Sequence, residues 1–241
     1  MNVKQKEFLI ENLQKIDIIL EEEKIQQFIT YYDILVEWNK VMNLTGITEF
    51  EEVVIKHFVD SLSLIKAVNP TKIQSVIDIG TGAGFPGIPL KIVYPNLEVV
   101  LLDSLNKRIK FLNTVIEKLH LSNIRCIHGR AEDFSRKAEY REQFDLCVSR
   151  AVANLASLSE YCIPYVKKAG MFISYKSGKI ESELEEAKIA VKILGGKIDS
   201  SIKFYLPDTD MERSLVVIKK VSNTAKMYPR KAGIPAKEPI R

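Results

Sequence analysis

The residues of greatest chemical promise lie in one run, Val76-Ile77-Asp78-Ile79-Gly80-Thr81-Gly82-Ala83-Gly84-Phe85-Pro86-Gly87. An apolar stretch leads into glycines, which permit positive φ and let the backbone approach a ligand with no Cβ between. Pro86 and Pro89 cannot lie deep inside a helix, so the next helix must start near them. Gly82 to Gly87 also satisfies GxGxxG, the dinucleotide fingerprint, and that match alone is weak. Three features favour S-adenosylmethionine. Asp78, two residues before Gly80, is placed to face a methionine ammonium, directly or through water. Asp103 closes the second apolar run, where a carboxylate accepts from ribose hydroxyls. Ala131-Glu132 follows the third run, where backbone and side chain meet an adenine. A tight turn without a ligand would explain the glycines but not these ordered carboxylates.

The elements that must position these groups read as alternating strands and helices. Strand-like runs are 75–79, 98–102, 124–128, 144–149 and 171–175, separated by helical stretches 88–93, 105–119, 154–165 and 180–194. That alternation implies an α/β fold, a parallel sheet with helices on both faces. Two further strands, 197–206 and 213–221, are joined by only the six residues 207–212. A parallel crossover needs about a dozen residues, so this pair must be antiparallel. Leu215-Val216-Val217-Ile218 is apolar on both faces and suits an interior strand. Five parallel strands plus an antiparallel pair is the Rossmann-like layout of S-adenosylmethionine-dependent methyltransferases; nicotinamide-binding domains add a sixth parallel strand instead.

Residues 4–68 read as helices, the third beginning near Glu51 with Thr48 as its N-cap and stopped by Asn69-Pro70. The expected organisation is an N-terminal helical subdomain (1–70), a Rossmann-like methyltransferase domain (71–225) and a basic C-terminal tail (226–241). Lys and Arg number 7 against 12 Asp and Glu in the first, 23 against 18 in the second and 5 against 1 in the tail. An acidic end and a basic remainder suit a polyanionic partner that meets one side of the molecule. There is no long uncharged apolar run for a membrane and no signal-peptide pattern at the start, so a cytoplasmic protein is expected. Cys126, Cys147 and Cys162 are scattered, with no metal-ligand spacing, and read as buried reduced thiols. No metal is expected, and nothing demands more than a monomer.

Taken together, several segments resemble the ribosomal RNA small-subunit methyltransferase G (glucose-inhibited division protein B) family. They are Trp38-Asn39-Lys40-Val41-Met42-Asn43-Leu44-Thr45, His57-Phe58-Val59-Asp60-Ser61-Leu62, the run from Asp78 to Pro89, and Leu102 to Arg108. Ser149-Arg150-Ala151, Lys176-Ser177-Gly178, Glu212-Arg213 and the tail Tyr228 to Pro235 continue the likeness over nearly the whole chain. The resemblance implies methylation of N7 of a guanine in the 530 loop of 16S ribosomal RNA, guanine-527 in the usual numbering. The partner is then 16S rRNA or the small ribosomal subunit. It implies cofactor contacts from Gly80, Phe85, Asp103, Ser104, Ala131, Glu132 and Arg150, to which the loop reading adds Asp78, Gly82 and Gly84.

The chemistry agrees with this expectation. Guanine N7 carries an in-plane lone pair and no proton, so methyl transfer needs alignment but no general base. No Asn/Asp-Pro-Pro-aromatic run for exocyclic amines occurs, and Cys162-Ile163-Pro164 has the wrong order for a cytosine-C5 nucleophile. No dedicated catalytic residue is expected. Candidates for positioning the RNA target are Asn39, Arg130, Arg150, Lys176 and Arg213. Lys176 could be misread as a base for ribose methylation but reads as a holder of RNA phosphate, as do Arg130, Arg150 and Arg213, and Asn39 and Asn43 read as helix caps or base contacts. His57 reads as structural. Two rivals remain at this stage: a methyltransferase of another RNA or a small molecule, and an RNA-binding protein without catalysis.

Overall fold

The computed structural model describes residues 3–150 and 153–241. Ala151 of the Ser149-Arg150-Ala151 run therefore lies outside the described residues. Helices α1 (Val3–Gln14) and α2 (Glu22–Met42) open the chain. Asn43 ends α2 in the left-handed conformation, with its N–H on the Asn39 carbonyl, so it acts as the cap. The third helical stretch is composite: α3 (Phe50–Val53), a π-helical segment (Val54–Val59), α4 (Asp60–Leu62) and a 3-10 turn (Ser63–Lys66). Thr48 is not its N-cap. Glu49 stands at that position without a side-chain cap bond, and the Thr48 carbonyl instead accepts from Tyr32 Oη at 3.0 Å.

The sheet strands are β1 (Ser75–Ile79), β2 (Glu98–Asp103), β3 (Ile124–His128), β4 (Phe144–Arg150), β5 (Val166–Ser177), β6 (Gly196–Tyr205) and β7 (Glu212–Lys220). Their spatial order is β3-β2-β1-β4-β5-β7-β6. The first five pair in parallel; β7 is antiparallel to both β5 and β6. The expected antiparallel pair is therefore present, with β7 interior as its apolar run requires. Because β7 is reversed against both neighbours, β6 itself runs in the direction of the first five.

Helices α5 (Gly87–Val93), α6 (Asn106–Lys118), α7 (Ala131–Phe134), α8 (Leu155–Cys162) and α9 (Glu181–Ile193) connect the strands. Asn154 caps α8 by accepting from Ser157 N at 2.9 Å, and Pro164 shortens this helix into a 3-10 turn over Ile163–Tyr165. The short α7 and a last turn, α10 (Ile234–Lys237), were not expected from the pattern.

Alternation along the strands divides the core into two clusters. Val76, Leu101, Val148 and Val217 face one side, where α1, α2, the composite segment, α5 and α6 cover them. Ile77, Leu102, Cys147 and Val216 face the other, beneath α8 and α9. A sheet covered on both faces explains why its strands read as continuous apolar runs. The three cysteines are free thiols, with Cys147 and Cys162 buried. The tail is not a solvated end: Tyr228 and Ile240 pack against the second cluster. No helix among the described residues is long and apolar enough to cross a membrane.

Candidate cofactor and target site

The C-terminal ends of β1, β2, β3 and β4 open into a cavity of about 720 Å³. This is the crevice where open α/β sheets bind ligands, and its size suits a nucleoside-sized molecule. Gly80, Gly82, Phe85, Asp103, Ser104, Arg130, Ala131, Glu132 and Arg150 line it. The topology thus brings together nine of the residues singled out from the sequence. Asp78, Gly84, Asn39, Lys176 and Arg213 do not line it.

The glycine turn is held from beneath. Gly80 N and Thr81 N both donate to the Leu102 carbonyl, at 2.9 and 3.2 Å. Asp78 is fully buried, and its Oδ2 accepts from Thr81 Oγ1 at 2.7 Å and Gly87 N at 2.9 Å. Asp78 was expected to face a ligand; the structure makes it an internal brace between the turn and the start of α5, because its side chain points into the loop it supports. Burial raises its carboxyl to about 6 against the opposing pull of these two hydrogen bonds, and Oδ1 has no partner. Gly84 is likewise a packing residue. A Cβ there would stand 2.5 Å from Ile88 Cδ1 and 2.8 Å from Tyr31 Oη. Gly82 lines the cavity with φ +62°, and no atom lies nearer than 4.0 Å to a Cβ built there.

Asp103, at the end of β2, is 2 % exposed. Its Oδ2 accepts from Gly82 N at 2.9 Å and from Arg108 Nη1 at 3.1 Å, and its Oδ1 from Leu105 N at 2.9 Å. The residue expected to hold a ribose therefore also ties the glycine turn to the second strand. Arg108 covers its outer side and lines the cavity too. Glu132, on α7, accepts at Oε1 from Gly233 N at 3.0 Å, so a residue of the tail joins this side of the cavity. Tyr161 from α8 stands beside them, its phenol pushed up chiefly by burial.

The opposite side is built on Asp60. Its buried carboxylate accepts from Arg150 Nη1 at 2.9 Å and from Arg213 Nε at 3.2 Å. Arg150 also donates to the Lys56 carbonyl and lies over the Phe85 ring, 5.0 Å from its centroid. His57 stacks on the same ring at 4.5 Å between centroids. Burial, and then the Arg150 charge, lower His57 to about 3, so it is neutral at pH 7. Its Nδ1 lies 3.2 Å from Arg150 Nη2 and 3.1 Å from the Lys56 carbonyl, and its Nε2 lies 2.9 Å from Thr45 Oγ1, so both ring nitrogens are engaged. Thr45 is held in turn by Asn39 Oδ1, which accepts its N–H at 2.9 Å. Asn39 is thus a loop brace behind the cavity. The π-helical segment carries His57 and leads straight into Asp60, a local irregularity of the kind found at functional sites.

Lys176 lies elsewhere, its Nζ bound to the Ala153 carbonyl at 2.6 Å and to Glu183 Oε1 at 2.5 Å. Those bonds occupy it, so it is not presented as a free phosphate holder or base. Sequence reasoning missed Asp60, Thr45, Arg108, Tyr161 and Gly233 as site residues and set His57 aside. Asp60 had a faint signal, a carboxylate one helical turn after His57; Gly233 had none outside the tail's family likeness.

A family model described as rRNA small subunit methyltransferase G matches residues 24–215. A relative of that name from Lachnoclostridium phytofermentans is 58% identical over 231 residues, covering 96% of each chain. Another from Clostridium botulinum is 51% identical over 226 residues, covering 94% of this chain and 95% of its own. Among solved structures, TYW2 of M. jannaschii in complex with AdoMet is similar in fold, with a TM-score of 0.50 at 16% identity, over 63% of this chain and 71% of its own.

Proposed function

The chain belongs to the rRNA small subunit methyltransferase G family, and from that premise we propose that it methylates N7 of a guanine in the 530 loop of 16S rRNA, guanine-527 in the usual numbering. Membership makes it a methyltransferase of small-subunit ribosomal RNA that uses S-adenosylmethionine. The N7 atom and the loop rest on the sequence resemblance, and one observation supports them: the described residues on the Phe85, His57 and Arg150 side of the cavity offer no free general base. Asp60, the carboxylate on that side, is held by Arg150 and Arg213; Asp103 is engaged through both oxygens by Gly82, Leu105 and Arg108, and Glu132, bonded at Oε1 by Gly233, stands on the opposite side. His57 is lowered to about 3 and is neutral, with both ring nitrogens engaged, and the Tyr161 phenol is pushed up.

A proton-bearing nucleophile would need one of these groups; guanine N7 does not. Held against Gly80, Gly82, Asp103 and Glu132, S-adenosylmethionine would supply an electrophilic sulfonium methyl. The protein's contribution is alignment. Gly82 leaves the cavity open on the β1 side, while Phe85, with Arg150 and His57 both against its ring, gives the facing wall a fixed surface. A neutral His57 also adds no second positive charge beside a purine that becomes cationic. N7 faces the major groove, which is too deep and narrow in A-form RNA for side chains, so the target is a loop base or one drawn from its stack. Arg130 is exposed at the rim and is the candidate for an RNA phosphate. Arg150 and Arg213, bound to Asp60, act as positioning residues.

The test is incubation with labelled S-adenosylmethionine and small-subunit RNA from a strain lacking the enzyme, followed by mapping of the methylated nucleotide. Label at guanine N7 in the 530 loop is expected. Label on an exocyclic amine or a ribose, or no label, overturns the N7 reading.

A further inference from the structure

Glu160 on α8 is completely buried, and among the described residues its carboxylate is bonded by Arg230 of the tail. Arg230 N donates to Oε1 at 2.6 Å, Arg230 Nε to Oε1 at 3.0 Å and Oε2 at 3.1 Å, and Nη2 to Oε2 at 2.7 Å. Such a fork engages a carboxylate through both oxygens and fixes the backbone that carries it. Nη2 reaches on to the Glu238 carbonyl at 2.7 Å, closing the segment around the clamp. On either side the tail is fastened again: Arg141 Nη1 holds the Tyr228 carbonyl at 3.0 Å, and Ser157 Oγ holds that of Pro235 at 2.7 Å. Between these fastenings lies Gly233, with φ +85°, lining the cavity and bonded to Glu132.

We propose that residues 228–237 are a wall of the cofactor cavity, and that the Arg230–Glu160 clamp is a positioning device for Glu132 and hence for the cofactor. This rests on reading the cavity as the S-adenosylmethionine site. The physical case is that Glu132 has one carboxylate oxygen taken by Gly233 N–H, which sets the side chain and leaves the other oxygen to accept from a ligand. Without the tail, Glu132 loses that restraint and the cavity loses its Gly233 boundary. Nothing in residues 226–241 resembles a cofactor motif, and the segment's positive charge invites a reading as an RNA arm alone. The clamp ties one of its five basic residues to a buried carboxylate.

Coupling of this kind is reciprocal: if a docked tail favours the cofactor, the cofactor must favour the docked tail by the same factor. Full-length wild type, Arg230→Met, Arg230→Lys and Gly233→Pro are to be titrated calorimetrically with S-adenosylhomocysteine and assayed for KM and kcat. Gly233→Pro deletes the N–H that Glu132 accepts and, because proline cannot hold φ +85°, also rebuilds the turn at Gly233; it removes the tail's boundary of the cavity while both Arg230 and Glu160 are kept, so it decides the matter even where Arg230→Met does not fold. A rise in cofactor Kd and KM of about tenfold or more is expected for Gly233→Pro and Arg230→Met, with kcat at saturating cofactor and KM for RNA little changed, and partial rescue in Arg230→Lys. In the wild type, S-adenosylhomocysteine should slow hydrogen exchange at the amides of Arg230 and Gly233. Wild type that binds the cofactor while the variants bind it equally well overturns the tail's role and leaves the cavity reading standing. Wild type that does not bind it overturns both.

Discussion

On the β1–β2 side of the cavity, the groups that hold the site are near neighbours in the chain. Asp78 reaches Thr81, three residues on, and Gly87, nine on, while Gly82 meets Asp103 across 21. On the other sides the separations are of another order. Arg150 bonds Asp60 across 90 residues, Asp60 meets Arg213 across 153, and Glu132 meets Gly233 across 101. The first side closes as soon as one βαβ unit forms. The others exist only when the N-terminal helices, β4, β7 and the tail have all docked. Damage to the glycine side should therefore remove binding and spare the fold, whereas damage to the distant sides should cost both.

The strongest test of that contrast is Gly82→Val. A branched side chain at φ +62° strains the turn by about 1–2 kcal/mol, and it projects into open cavity. Cofactor binding is expected to vanish while the far-ultraviolet circular dichroism stays native; unchanged affinity would show that the loop does not lie against the cofactor. Asp60→Ala attacks the opposite side. It leaves Arg150 and Arg213 without their shared buried partner, and urea unfolding should show a loss of about 3–5 kcal/mol together with reduced methyl transfer. A loss of activity at full stability would mean that Asp60 is not the anchor of that wall.

The two sides should also separate by pH. His57 is lowered to about 3 from 6.5, so the unfolded chain takes up a proton that the folded chain refuses. Its contribution is present above about pH 6.5 and is lost as pH falls toward 3. Asp78 is raised to about 6 from 3.8, so the folded chain holds the proton longer. Its contribution is present below 3.8 and is lost as pH rises through 6. Between pH 4 and 6, the stability of wild type relative to His57→Gln should rise with pH, and that relative to Asp78→Asn should fall. Parallel slopes in chemical denaturation would contradict the assignment. The smallest effect is expected for Asn39→Ala, which frees Thr45 N. A stability loss of about 1 kcal/mol and a modest change in RNA KM are expected; a loss of RNA binding outright would make Asn39 a base contact after all.

These contrasts explain what was legible. The run from Val76 to Gly87 announces its turn because glycine and proline act on their own backbone, and the lone six-residue link 207–212 dictates an antiparallel pair by chain length alone. Asp78 shows the limit. Its type and spacing identify it as important, but two carboxylate roles, facing a ligand or bracing a loop, look the same in sequence. Lys176 shows it again, since nothing in its neighbourhood along the chain foretells that it lies against Glu183.

The amino-acid sequence by itself determined the α/β alternation, the strand count, the place of the glycine turn and, through resemblance, the family. Periodicity and turn chemistry act over a few residues and can be read there. Only the tertiary structure decided that Asp60 joins two arginines, that His57 is a neutral stacking partner of Phe85, and that a basic tail closes the cavity at Gly233. Those outcomes depend on which charges are buried together, and burial belongs to the packed molecule rather than to any segment of it.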